Sequence, residues 1–448
     1  SGTTADPKGI LLTHRNYTAN VEQAHSVIGV KSTDRMLIIL PLDHCFAHVA
    51  GFYTMMSYGA SIGTVPSGKS GKEALRNISP SIMEFQPNVM LSVPTLAKNF
   101  KKSIETAIRK KGATVEKLYN FALNNAIAYY KEGYNKGTQF VDIFRWPLVK
   151  LFDKLVFSSV RQGLGGKMKF FVGGGALLDI DLQKYYNAIG IPMYQGYGLS
   201  EATPIISANS PQRHIFGSSG KVVSPREIKI LDADGVEQPY GVKGEICIKG
   251  ENVMAGYWKN PKSTADTVVD GWLHTGDMGY MRDAEMLYVV GRFKSLLIAA
   301  DGEKYSPEGI EENLVESSKY IDGAILHNSQ DPYTIVLITP NKDALKAYAK
   351  DLGLDPTSEE AKVKMLELLQ DEVNMYRKGG RLFGAFPERW LPAAVCVLPE
   401  PWTEQNHFLN SSMKVVRGRV EEAYKENMEY AYTPEGKNIV NKMNLASL

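Results

Sequence analysis

The chain has 448 residues, 44% of them hydrophobic and 22% charged, with a formal net charge of +2. That is ordinary globular composition; it excludes a disordered chain, and the absence of any basic tract speaks against a nucleic-acid partner. The length suggests two or three domains with cores that need no disulfides, and Cys45, Cys247 and Cys396 form no C-x-x-C pair, so a reducing, cytoplasmic setting with no zinc site is expected.

The chain opens on Ser1-Gly2-Thr3-Thr4-Ala5-Asp6-Pro7-Lys8-Gly9, without an initiator Met and inside a motif, so it is expected to be a piece whose upstream part is absent. Glycines let backbone N–H groups turn inward, hydroxyls add donors and Lys8 adds a charge, the composition that wraps a polyphosphate; the same string also suits an ordinary turn. Residues 13–28 read as a helix with Thr13 as its cap, and residues 35–41 and 88–94 as short buried strands. Residues 96–134 read as one helix, and Leu148, Phe152, Leu155, Val156 and Val160 give a further helix. Residues 167–172 form a strand running into Gly173-Gly174-Gly175, followed by a helix from Asp179 and a strand at 191–194. This alternation implies a parallel sheet with helices on its faces. From residue 217 to 290, short strands alternate with Gly and Asp turns, suggesting a small β subdomain. Residues 291–294 look like a joint to a mixed α/β domain with a charged helical segment at 351–379. No run of about 18 apolar residues occurs, so no spanning helix is expected.

Several segments carry chemistry. Tyr197 follows a strand and can stack on a purine, and Glu201 directly after the Ser200 hydroxyl can hold Mg2+ beside phosphate oxygens. Asp277 sits at a turn, suited to a ribose diol, with Arg292 placed to reach the other side of the sugar. Singly, each also reads as a turn residue or an ion-pair partner. Gly63-Thr-Val-Pro-Ser-Gly68-Lys69-Ser70 fits the P-loop string, but its preceding strand is poor and Gly71 falls where a helix should start; a solvated turn is the preferred reading. His44 and His48 lack the Glu of a zinc-protease motif, and His44 reads as a partly buried residue at a strand end.

Taken together and in this order, the segments resemble the adenylate-forming superfamily of AMP-binding acyl-CoA synthetases. The resemblance rests on residues 1–9, Leu40-Pro-Leu-Asp-His44, Gly173-Gly-Gly-Ala176, Tyr197-Gly-Leu-Ser-Glu201, Gly256-Tyr-Trp, residues 271–277, Gly291-Arg-Phe-Lys294 and Lys414. It spans essentially the whole chain and is greatest to long-chain fatty acid–CoA ligases, because of the helical stretch over 96–161. The resemblance implies a large α/β/α N-terminal domain, incomplete at its start, with a small β subdomain (1–290). A hinge at 291–295 about Lys294 and a mobile smaller α/β C-terminal domain (296–448) would follow.

It further implies ATP, CoA and a fatty acid as partners, with Mg2+ on Glu201. Ser1, Gly2, Thr3, Thr4 and Lys8 would hold phosphates, Gly174, Gly175 and Tyr197 adenine, and Asp277 and Arg292 ribose. His44 would line the acyl pocket, the Gly302 loop would face CoA, and Lys414 would be the catalytic amine, with Ser200 and Glu201 beside the metal. Ala5, Ser200, Ser295 and the run before Lys414 depart from the family's usual residues. An apolar substrate is compatible with weak peripheral contact at the inner face of a membrane. Two other readings stand beside this one: a P-loop-type NTPase using Lys69, and a nucleotide-binding protein without catalysis.

Overall fold

A computed structural model describes residues 8–66, 68, 71–133, 139–224, 227–293, 296–410 and 415–448. The fold is mixed α/β, and the chain divides into two compact units, one spanning Gly9–Val289 and the other containing Val290–Leu448.

The first unit is built on a twelve-stranded sheet. Five strands are parallel, in the spatial order Ser61–Thr64, Arg35–Ile38, Val89–Ser92, Phe170–Gly173, Met193–Gly198. The central ones are apolar at nearly every position because both faces are covered, as parallel strands require. Side chains alternate between faces. Leu37, Met90 and Phe171 pack against Ile82, Leu182, Tyr185 and Tyr186. Met36, Ile38, Val89, Leu91, Phe170 and Val172 pack on the other side with Ala47 and Met55. Full burial of a Val, Leu, Ile, Met or Phe side chain contributes about 1.5–3 kcal/mol of transfer free energy.

From Met193–Gly198 the ladder turns antiparallel, through Ile205–Ala208 and Gly220–Val222 to Met286–Arg292, then Trp272–Met281, Gly244–Lys249 and Glu227–Leu231. The β-rich stretch, expected as a small β subdomain within the large domain, is hydrogen-bonded into the same sheet as the parallel strands.

Helix His14–Ile28 begins as expected. Thr13 accepts from the Asn16 N–H and the Asn16 side chain accepts from the Thr13 N–H, a reciprocal cap; Gly29 ends the helix at φ 65°. The single helix expected over 96–134 is two, Pro94–Lys110 and Ala113–Tyr130. Gly112 at φ 107° makes the break, a backbone state that other residues reach only at a cost. The helix expected through Leu148–Val160 is likewise Asp142–Phe152, a wide π-type segment Asp153–Phe157, and Ser158–Gln162. Ile143, Phe144, Trp146 and Leu155 on this stretch are 51–66% exposed, beside Phe140 at 79%.

The second unit has a three-stranded sheet. Ile321–His327 pairs antiparallel with Ile335–Pro340, which pairs parallel with Ala394–Val397. Its core is Leu314, Val336, Ile338, Leu345, Leu366, Leu369 and Val395. The helical segment expected at 351–379 is narrower. Helix Lys342–Asp351 stops, and Glu359–Val373 starts at Ser358, whose hydroxyl accepts from the Ala361 N–H. Arg417 is clamped by Glu311 (2.6 and 2.8 Å) and donates to the Leu326 carbonyl, so the helix Arg417–Ala423 is pinned to the sheet at its first residue. No helix among the described residues is long and apolar enough to cross a membrane.

Candidate active site

In a parallel sheet the carboxyl ends of the strands open onto one edge, where loops can converge on a ligand. Here four loops meet. The strand ending at Ile38 leads to His44 and Cys45, the strand ending at Ser92 to Val93, the strand ending at Gly173 to Gly174 and Gly175, and the strand ending at Gly198 to Ser200 and Glu201. A Cβ on Gly174 would come within 3.0 Å of the Phe46 ring, and one on Gly175, at φ 88°, within 3.5 Å of Val93. These glycines let two neighbouring loops approach closely. His44 Nδ1 accepts from the Phe46 N–H (3.2 Å), turning the chain into the π-type helix Phe46–Tyr53. Buried Gln195 fixes the glycine loop: it accepts from the Leu178 N–H (2.8 Å) and donates to the Ala176 carbonyl (3.2 Å).

The turn carrying Ser200 and Glu201 is under unusual constraint. Gly198 has no room for a side chain, since a Cβ would lie 2.0 Å from the Pro204 carbonyl oxygen. Thr203 adopts φ 63°, a left-handed state that costs a β-branched residue on the order of 1–3 kcal/mol. A buried polar network holds it there. Thr203 Oγ1 donates to the Asn252 carbonyl (2.8 Å), and the Asn252 side chain donates to the Ala202 carbonyl (2.5 Å). Asn20 exchanges hydrogen bonds with the Ile205 backbone in both directions, and Asn16 donates to the carbonyls of Glu251 and Val253. The helix after the opening segment therefore clamps the Glu201 turn to residues 251–254.

Two pairs define the chemistry. The Tyr197 hydroxyl donates to Asp277 Oδ2 at 2.6 Å, with Asp277 buried. This joins the residue expected at adenine to the one expected at ribose, across 80 positions of sequence. The Tyr257 hydroxyl donates to Glu201 Oε1 at 2.9 Å, and Glu201 is also buried. Burial and then the Glu201 charge push the Tyr257 hydroxyl well above its usual range, so it remains a donor. Burial and the same charge raise the Cys45 thiol, which lies by Ser200, and keep it neutral. Ile10 and Leu11 pair antiparallel with Tyr257 and Gly256, so the exit of the opening segment is fixed beside the Tyr257–Glu201 pair.

The other expected residues fall elsewhere. Ser1, Gly2, Thr3, Thr4, Lys294 and Lys414 lie outside the described residues. Lys8 is half-buried. Arg292, in the second unit, ends its strand in the field of Glu308. Gly302, at φ 84°, is the exposed tip of the hairpin Leu297–Ile298/Lys304–Tyr305, with its N–H bonded to the Ala299 carbonyl (2.8 Å). The flanks of 411–414 are fixed: Leu409 bridges Val415, and the Val416 N–H donates to the Phe408 carbonyl (2.8 Å). At the P-loop-like string, strand Ser61–Thr64 is the sheet's edge and the Glu73 side chain packs against Gly68. Lys69 and Ser70 of that string lie outside the described residues. No role was expected for Tyr257, Asn252, Asn20 or Gln195, although Gln195 and Tyr257 lie in stretches singled out from the sequence.

A family model described as AMP-binding enzyme matches residues 1–258. Among curated proteins, the probable acyl-activating enzyme 16, chloroplastic, of Arabidopsis thaliana is 26% identical, over 96% of this chain and 62% of its own length. Fatty acyl-CoA synthetase B of Dictyostelium discoideum is 27% identical, over 97% and 62%. The long-chain-fatty-acid–CoA ligase FadD15 of Mycobacterium tuberculosis is 27% identical, over 97% and 68%. The chain thus spans about three fifths of the length of the first two, 62% in each case. Among solved structures, the adenylation domain of a Mycobacterium chelonae carboxylate reductase aligns with a TM-score of 0.69 at 20% identity, covering 96% of this chain and 59% of that one. O-succinylbenzoate coenzyme A synthetase from Bacillus subtilis, solved with AMP, aligns at 0.62 and 22%, covering 94% and 67%. At these identities the likeness concerns the fold.

Proposed function

This chain belongs to the AMP-binding enzyme family, and from that premise we propose that the protein containing it is an ATP-dependent acid–thiol ligase that activates a fatty acid, long-chain by preference, and passes it to CoA. The observation that carries the reading is the pairing of Tyr197 with Asp277 and of Tyr257 with Glu201 at one edge of the parallel sheet. The names of relatives such as fatty acyl-CoA synthetase B and FadD15 support a fatty acid as substrate.

In the first step a carboxylate oxygen attacks the α-phosphorus of ATP, and the bond to pyrophosphate breaks. In the second the CoA thiol attacks the acyl carbon, loses its proton, and AMP leaves. A carboxylate is a weak nucleophile, so positioning and charge neutralisation supply most of the acceleration. Tyr197 stacks on adenine while its hydroxyl holds Asp277 for the ribose. Gly174 and Gly175 keep the backbone low beneath the ring, and His44 lines the acyl side. Glu201 and Ser200 offer hard oxygen donors of the kind Mg2+ takes, and Glu201 is held in place through Oε1. When bound, Mg2+ neutralises charge on the phosphate oxygens. Ser1, Gly2, Thr3, Thr4 and Lys8 hold the departing pyrophosphate, and Arg292 assists at the ribose. Lys414 bridges the carboxylate and the α-phosphate in the first step; rotation about Lys294 then withdraws it and presents the Gly302 loop to CoA.

Pyrophosphate exchange into ATP, measured with the whole protein over fatty acids of increasing chain length, tests this. Exchange should require an acid and peak with long chains. Turnover of ATP indifferent to every acid would leave a nucleotide-binding protein or a simple NTPase.

A further inference from the structure

Away from Glu201, three side chains of different chemistry converge on one point of the antiparallel half of the sheet. Glu245 and Cys247 are two apart on strand Gly244–Lys249 and so share a face; His274 lies directly across from Cys247 on strand Trp272–Met281. One ligating atom from each lies within 4.8 Å of the others. His274 Nδ1 is 2.8 Å from Glu245 Oε2 and 3.4 Å from Cys247 Sγ. Cys247 is buried, while the Glu245 and His274 side chains are 23% and 30% exposed, leaving a path from solvent.

A Cys-His-carboxylate relay uses the two ring nitrogens for its two partners. Here a single nitrogen faces both. Nδ1 cannot donate to the carboxylate and accept from the thiol at once, so when it donates to Glu245 the thiol must turn to that same carboxylate. A cation satisfies all three donors together. The other oxygen of Glu245 is already used: Oε1 accepts from the Gly276 N–H at 3.0 Å. That leaves Oε2 as a one-oxygen ligand held by a second-shell contact.

We propose that Glu245, Cys247 and His274 form a metal site for a zinc-like divalent ion, with solvent in the fourth position. A thiolate and an imidazole select zinc over magnesium or calcium. Ordinary zinc bond lengths at a tetrahedral angle put sulfur and nitrogen about 3.5 Å apart, close to the 3.4 Å seen; the carboxylate must move out by about half an ångström. Lys229, the Cα partner of Cys247 on its other side, stacks on Trp272 at 4.3 Å. With only three protein ligands and that ammonium near, affinity falls below that of a closed four-ligand site.

The register of the two strands shifts between Glu245 and Cys247, opposite residues 274–278. The extra length is a bulge with Gly276 at φ 69°, and the bulge carries Asp277. A metal here therefore braces the backbone that presents Asp277.

Titration of the metal-stripped protein with cobalt(II) is the test. One equivalent should bind, with a thiolate-to-cobalt charge-transfer band and the visible bands of a tetrahedral site, displaced by zinc. His274→Gln and Cys247→Ser should remove the charge-transfer band. The loss in zinc affinity should exceed the roughly 10–100-fold that removing an outer-shell partner costs. Cys45→Ser should leave the band intact. Circular dichroism confirms folding, and the half-exposed His274→Gln keeps the test decisive should Cys247→Ser fail to fold. No cobalt band in the parent protein, or a band that survives His274→Gln, overturns the proposal.

Discussion

Lys414→Ala should slow acyl-AMP formation by roughly 10²–10³-fold, the cost of losing one donor that acts in the transition state. It should leave conversion of supplied acyl-AMP to acyl-CoA within a few-fold of the parent. The asymmetry is what matters, because a lysine that merely supported the fold would slow both half-reactions together. Each can be timed alone: the first by pyrophosphate release in the absence of CoA, the second by thioester formation from synthetic acyl-AMP. Equal losses in the two would assign Lys414 a structural role.

Glu201→Gln should cost a comparable factor, about 10² or more, in the first half-reaction. The substitution keeps shape and an acceptor oxygen, so the Tyr257 hydroxyl retains its partner and the turn at 200–203 keeps its network. Only the negative charge is lost. A metal-binding role predicts that raising magnesium recovers part of the rate. A purely structural role predicts little loss of rate, since the hydrogen bond survives. Full activity at every magnesium concentration would remove Glu201 from the metal site.

What the chain shows on its face is local. The apolar runs at Arg35–Ile38 and Val89–Ser92 identify strands covered on both sides, and Thr13 marks a helix start that the structure has, capping box included. The Tyr197-to-Glu201 segment lies at a strand's carboxyl end, as its glycines and hydroxyl suggest. What stays hidden is non-local. Asn20 meets Ile205 across 185 positions and Tyr257 meets Glu201 across 56, and no periodicity encodes such pairings. The break at Gly112 shows how one left-handed residue divides a stretch whose apolar spacing reads as continuous. Glu245, Cys247 and His274 carry no recognisable ligand spacing. A bulge in the strand bearing His274, not a motif, puts them together.

On the proposed mechanism a carboxylate oxygen attacks the α-phosphorus. A fatty acid labelled with heavy oxygen in both carboxyl positions, turned over with ATP and CoA, tests it most directly by mass spectrometry of the AMP. Attack at that phosphorus predicts one labelled oxygen in each AMP released and one retained in the thioester. Unlabelled AMP, or label found in pyrophosphate or inorganic phosphate, would contradict it.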